Sequence, residues 1–253
     1  DSFADSVPLD DSGGLDAFLA KVGGDGSYAW VRSDGGSGDD SGEAIASDPS
    51  GGVYLAGNVI SESPSNLFLL RCDQNGSLSW AKKAGGASSD TIASIAADLT
   101  GVYLTGSFEG TATFEDTLLT SQGSSDAYLA KYSSSGSLAW AERFGGSGSV
   151  RADRVALDPF GNPSILGSFE GSIAVGGQIL VSQGAHDLFL VKASSSSGKP
   201  IWSRIIGGET MDSARGLSIG SDGSTHLASH YLGNSLTIDS QTLTSTGSNG
   251  FSV

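Results

Sequence analysis

His186, His226 and His230 are the first candidates for metal or acid–base chemistry in this chain. On a strand, His226 and His230 share a face, but four residues at roughly 3.3 Å each set them about 13 Å apart. A metal ion takes histidine nitrogens at about 2 Å, so one ion does not bridge that gap. His226 also falls where earlier stretches place Tyr54 and Tyr103, and it reads as a ring filling a strand position. Asp48, Asp98 and Asp158 each stand three residues before a glycine, Gly51, Gly101 and Gly161. A carboxylate there can accept backbone N–H groups and fix a turn. The competing chemistry is a ring of carboxylates holding calcium, which needs about six to eight oxygens. No Asp-x-Asp-x-Asp-Gly loop supplies them; Asp39-Asp40-Ser41-Gly42-Glu43 is the nearest cluster. The turn reading is favoured, calcium is the one cation considered, and no cofactor is expected.

Nucleophiles fare no better. Gly146-Ser-Gly-Ser-Val150 has the spacing of Gly86-Ala-Ser-Ser-Asp90 and reads as a turn, whereas a serine elbow joins a strand to a helix. Glu115 and Asp116 read as neighbours on a strand, pointing to opposite faces. The glycine runs introduce no helix and so are not phosphate loops. Cys72 is alone, which excludes an internal disulfide and a Cys-rich metal site. Asn75-Gly-Ser77 has the spacing of a glycosylation acceptor, but at a hairpin turn the reading favoured is a turn asparagine. No catalytic set converges, and the chain is expected not to be an enzyme.

The elements that position these residues form an internal repeat. Asp16-Ala-Phe-Leu-Ala-Lys21, Asn66-Leu-Phe-Leu-Leu-Arg71, Asp126-Ala-Tyr-Leu-Ala-Lys131 and Asp187-Leu-Phe-Leu-Val-Lys192 superpose, their starts 50, 60 and 61 residues apart. Each is followed by a tryptophan (Trp30, Trp80, Trp140, Trp202) and then a Gly-Gly pair, from Gly35-Gly36 to Gly207-Gly208. A small apolar segment with an acid and a turn glycine closes the unit; the last copy, Leu217 to Gly223, lacks the acid. Within a copy, Phe18 to Lys21, Tyr28 to Arg32, Glu43 to Asp48 and Val53 to Gly57 read as strands separated by Gly-, Asp- and Pro-rich turns. Helical periodicity is nearly absent. The fold expected is all-β: a β-propeller of about four repeats of 50–62 residues, each a four-stranded antiparallel blade, or a section of a larger propeller. A parallel β-solenoid is the rival. A tryptophan required once per copy is expected to pack between blades. Aromatics at positions that vary between copies, Tyr132, Phe160 and Tyr231, are the expected binding surface.

The run Phe108-Glu-Gly-Thr-Ala-Thr-Phe114, Leu118-Leu-Thr-Ser-Gln-Gly123, Asp126-Ala-Tyr-Leu-Ala-Lys131 and Gly136-Ser-Leu-Ala-Trp140 to Gly146 resembles the SBBP-type β-propeller repeat. The resemblance covers nearly the whole chain. It implies a propeller placed outside the cytoplasm, in secreted or cell-surface proteins, and it implies no catalytic residues. The first full copy departs from it, having only Asn58 to Ser65 where the others carry an insertion, and the third has Val150 where others have Asp40, Asp90 and Asp212.

Repeats are expected at 37–86, 87–146, 147–208, and 209–253 completed by 1–36. The two ends overlap, because Asp1 to Phe18 and Asn234 to Phe251 occupy the same repeat positions. Three arrangements follow: one end is displaced to the rim, the chain is a section of something longer, or the Phe251-Ser252-Val253 edge pairs with another chain. The chain starts at Asp1 with no initiator Met and no apolar leader, as a processed or excised segment would. A net charge of −15 argues against nucleic acid and anionic membranes as partners, and no apolar stretch is long enough for membrane insertion. The function expected is a non-catalytic extracellular or cell-surface module for interaction or adhesion, its partner a protein or glycan. The alternative is a structural subunit that self-associates or joins a larger assembly through blade edges or faces.

Overall fold

The structure, a computed structural model, describes residues 14–35, 39–59, 66–208, 210–231, 235–238 and 241–244. Among them the regular structure is all β: 22 strands in antiparallel sheets, with no helix. The first stretch contributes β1 (Ala17–Val22) and β2 (Tyr28–Asp34). The next copy contributes β3 (Asp40–Ser47), β4 (Val53–Val59), β5 (Asn66–Cys72) and β6 (Leu78–Gly86). It is followed by β7 (Asp90–Asp98), β8 (Gly101–Phe108), β9 (Thr111–Phe114), β10 (Thr117–Thr120), β11 (Asp126–Ser133) and β12 (Leu138–Phe144). The third full copy is β13 (Val150–Leu157), β14 (Pro163–Phe169), β15 (Ser172–Val175), β16 (Gln178–Val181), β17 (Asp187–Ala193) and β18 (Pro200–Gly207). The last stretch adds β19 (Asp212–Ile219), β20 (Thr225–Tyr231), β21 (Ser235–Ile238) and β22 (Gln241–Thr244).

Pairing inside a copy runs in one order, β3–β4–β5–β6, β7–β8–β11–β12 and β13–β14–β17–β18. The insertion of the longer copies is a separate hairpin laid on the outer edge of the preceding copy. Gly85 and Gly86 of β6 face Thr113 and Ala112 of β9, and Ile206 and Gly207 of β18 face Ile238 and Thr237 of β21. Two of the sheets thereby reach six strands. β15–β16 stays a two-stranded sheet, bridged to the copy before it through Ala174 and Gly145. β1–β2 and β19–β20 are likewise two-stranded sheets of their own, and no sheet among the described residues closes on itself.

The apolar clusters explain why the copies stay together, since each draws its residues from two successive copies. Tyr54 and Leu67 pack with Phe108, Phe114 and Tyr128; Tyr103 and Phe144 pack with Phe169 and Phe189. A single copy has nothing to bury these faces against, as in other repeat architectures. The first strands of the copies, β3, β7, β13 and β19, lie side by side in that order. Their crowding accounts for small residues such as Ala44, Ala46, Ala96 and Ala152. Each of these strands carries a bulge at the same place, leaving Glu43, Ala93, Asp153 and Arg215 without a ladder partner and adding local twist. The expected strand through Glu115 and Asp116 is instead the tight turn between β9 and β10, where Glu115 has a φ of 48°. Glu115 pairs with Lys82 of the preceding copy at 2.6 Å and accepts the Leu138 N–H at 3.0 Å. The turn is held from both sides, which accounts for the uncommon φ.

Candidate functional site

The three repeated aspartates fix their turns. Asp48 Oδ1 accepts the N–H groups of Ser50 (2.8 Å) and Gly52 (3.0 Å). Asp98 Oδ1 accepts those of Thr100 (2.7 Å) and Gly101 (3.2 Å), and Asp158 Oδ1 those of Phe160 and Asn162, both at 2.8 Å. In two copies Oδ2 meets a cation from the strand that starts with the repeated Asp/Asn-x-Phe-Leu motif: Arg71 at 3.0 Å from Asp48, Lys192 at 2.7 Å from Asp158. Burial works to raise both carboxyls, but the hydrogen bonds and the cations outweigh it and hold their pKa values below the ordinary range. These acids are committed to structure. Sequence reasoning missed the cations, although their signal was present: Lys21, Arg71, Lys131 and Lys192 recur at one repeat position.

What differs between the turns is the residue two places after the aspartate. Ser50 and Thr100 each add a hydroxyl hydrogen bond to the same Asp oxygen. The third turn gives up that bond and carries Phe160, which is 83% exposed. Its backbone is nonetheless pinned by Asp158, so the ring is displayed from a fixed point. The turn before it is adjacent, since a Cβ on Gly161 would lie 3.0 Å from Asp98 Oδ2. That neighbour exposes Leu99. Two apolar side chains therefore stand on adjoining rigid turns.

The tryptophans are joints between copies. Trp30 Nε1 donates to Gln74 O at 3.0 Å, Trp80 Nε1 to Ser134 O at 3.0 Å, and Trp140 Nε1 to Ser195 O at 3.2 Å. Every acceptor belongs to the hairpin turn of the next copy. The indole lies on that turn's glycine: a Cβ on Gly76, Gly136 or Gly198 would fall 2.7, 2.9 or 2.6 Å from the ring. All three glycines have positive φ, 84°, 89° and 71°, so both the turn and the ring demand the missing side chain.

The Gly-Gly pairs have a comparable origin. A Cβ on Gly145 would lie 1.9 Å from the Asp126 carboxyl carbon, and one on Gly207 would lie 2.3 Å from that of Asp187. The second glycine meets backbone of the next hairpin, Gly86 against Thr111 O and Gly146 against Ser172 O. One glycine admits a buried carboxylate; the other admits a neighbouring chain. Those carboxylates use one oxygen on the backbone, Asp126 accepting Gln122 N–H at 2.9 Å and Asp187 accepting Gln183 N–H at 2.6 Å. Arg143 also reaches Asp126 at 2.6 Å.

Of the aromatics expected at the surface, Phe160 is exposed and Tyr132 is not. Tyr132 is 1% exposed and lies in the core beside Trp80, ring centroids 6.5 Å apart. It takes the slot that Cys72 and Ala193 fill in other copies, so its variation reflects the volume available next to an indole, and burial raises its pKa. Tyr231 ends β20 with its backbone opposite Asp212. Phe251, Ser252 and Val253 lie outside the described residues. The histidines are dispersed, His226 meeting Ser224 Oγ at 3.1 Å and His186 lending its carbonyl to the Asp212 N–H at 2.8 Å. No group of three His, Cys, Asp or Glu side chains suited to a metal occurs among the described residues.

No protein-family model matches the chain, and no curated protein matches it. A solved structure of a protein of unknown function from Bacteroides caccae is similar at 8% identity and a TM-score of 0.36, covering 74% of this chain and 71% of that one. A likeness so shallow carries no argument about fold or function.

Proposed function

We propose that the chain is a β-propeller, or a section of one, that serves as a non-catalytic interaction module at the cell surface or outside the cell, binding protein or glycan. In this reading β3, β7, β13 and β19 line the axis and the copies are blades. The side-by-side order of these strands and the cores shared by successive copies support it. The observation that carries the binding role is Phe160, an aromatic on a pinned turn where other copies keep a structural hydroxyl, with exposed Leu99 on the turn beside it. An aromatic with a fixed backbone supplies contact area to a sugar face or an apolar side chain at little conformational cost.

The test is Phe160→Ser, which restores the hydroxyl of the other copies. Screened against a glycan array and a panel of immobilised extracellular proteins, the wild-type chain is expected to bind at least one. The variant should lose at least tenfold in affinity at an unchanged melting temperature. Equal binding by the variant, or no binding by the wild type, would sink the reading. The second reading, a structural subunit, is favoured by β1–β2 and β19–β20 being two-stranded sheets of their own among the described residues.

A further inference from the structure

In a chain with 28 acids against 13 lysines and arginines, three of the seven arginines gather around one aspartate. Arg151, Asp153 and Arg154 belong to β13, and Arg215 belongs to β19, the strand packed beside it. Arg151 Nη2 meets Asp153 Oδ1 at 3.0 Å, and Arg154 Nη1 donates to the Asp153 carbonyl at 2.7 Å. Burial pushes the Asp153 carboxyl up, and Arg151, Arg154 and Arg215 all pull against that rise. All three guanidinium groups are therefore within electrostatic reach of a single carboxylate. Three cations and one anion leave the cluster with a formal charge of +2.

The bulges of the two strands bring these groups together. The β13 ladder shifts register between Ala152 and Arg154, and the β19 ladder between Ala214 and Gly216, so Asp153 and Arg215 are the residues passed over. A bulge re-aims the side chains around it. The same place in the other two first strands holds Glu43 and Ala93, so the repeat itself does not demand the cluster. Packing does not demand it either. The Arg151 side chain is 63% exposed, and Arg154 and Arg215 are exposed as well, whereas the Asp153 side chain is 15% exposed. Among the described residues neither Arg154 nor Arg215 pairs with a carboxylate.

We propose that the seam between β13 and β19 binds a doubly charged oxyanion, a sulfate or phosphate group, through Arg154 and Arg215. Asp153 holds Arg151 at the edge of the site, where its charge adds to the other two. The planar guanidinium fork matches such an oxyanion with paired N–H donors, and it stays charged at any working pH. A dianion cancels the formal +2, whereas a single carboxylate leaves half of it. A long polyanion such as nucleic acid needs a row of cations, and the net charge of −15 opposes it outside the seam. The inference rests on the packing of β13 against β19, and neither on the propeller reading nor on Phe160. Asp153 lies toward the start of β13, while Phe160 follows its end.

Calorimetric titration of the full chain with sodium sulfate and with sodium phosphate, against sodium chloride at matched ionic strength, tests this. At least one of the two oxyanions should bind saturably, and chloride should not. Arg154→Gln and Arg215→Gln should each weaken that binding by about tenfold or more. Lys199→Gln removes the same charge from an exposed pair with Glu142 and should leave the binding unchanged. Arg215 makes no hydrogen bond among the described residues, so Arg215→Gln should keep the wild-type melting temperature. The bound oxyanion should raise that temperature in the wild type and not in Arg215→Gln. Glucose 6-sulfate identifies the source of the group. Binding as tight as that of inorganic sulfate means that the seam takes an ester on a carrier sugar; binding of the inorganic ion alone means a free-ion site. Wild-type heats that match those of chloride for both oxyanions overturn the proposal. Equal weakening by Lys199→Gln overturns it too, because the response would then follow net charge and not the seam.

Discussion

Asp90 and Asp212 each give one oxygen to a backbone N–H, of Gly86 at 2.7 Å and of Gly208 at 3.2 Å, and leave Oδ1 buried without a donor among the described residues. Burial pushes both carboxyls up to about 6, against the pull of those N–H groups. The folded chain therefore binds more protons than the unfolded one between the ordinary carboxyl pKa, 3.8, and about 6. Stability falls as pH rises through that window. Asp48 and Asp158 have depressed values, so their contribution is present above the ordinary carboxyl range and is lost as pH falls through their folded values. The melting temperature should peak between about pH 4 and 5 and be higher at pH 5 than at pH 7.5 by about 2–4 °C, the shift that ~1 kcal/mol gives in a chain of this size. In Asp90→Asn the difference should shrink. A melting temperature that is flat or rising from pH 5 to pH 7.5 would overturn this account.

At the scale of elements, the Trp80–Gly136 contact combines two demands on one residue. Gly136→Ala should cost about 1–2 kcal/mol for a side chain at positive φ, with a further loss from its collision with the indole. In a Trp80→Ala background the collision is gone and only the backbone part remains. Urea denaturation of the four chains of this cycle measures the coupling, and equal costs in both backgrounds would show that the ring does not press on the turn. The hairpins themselves were legible in the sequence: the strands expected around Phe18, Trp30, Glu43 to Asp48 and Val53 to Gly57 correspond to β1, β2, β3 and β4. So were the aspartate turns, because both depend on residues a few positions apart. What was not legible depends on the neighbouring copy. The β9–β10 hairpin pairs with β6 of the copy before it, and Tyr132 is buried against a tryptophan 52 residues earlier. A residue that varies between copies looks like a binding position until its neighbour is known.

For the molecule as a whole, stability resides between copies, in the shared apolar clusters and the indole joints, and the three indole hydrogen bonds all run from one copy to the next. The repeat was evident from spacing alone. The direction of the joints has a mechanical consequence. If the chain is pulled by its two ends, load reaches the copies in series, and the bonds at each seam are what must give. Stretched singly in an optical trap, the chain should yield in discrete steps, each releasing about 60 residues, or roughly 200 Å at 3.3–3.6 Å per residue. One indivisible rip of the full length would mean that the seams are stronger than the copies they join. The same fold that presents Phe160 from a stiff turn would then act as a shock absorber, lengthening by stages under tension and rebuilding each seam when the load is released.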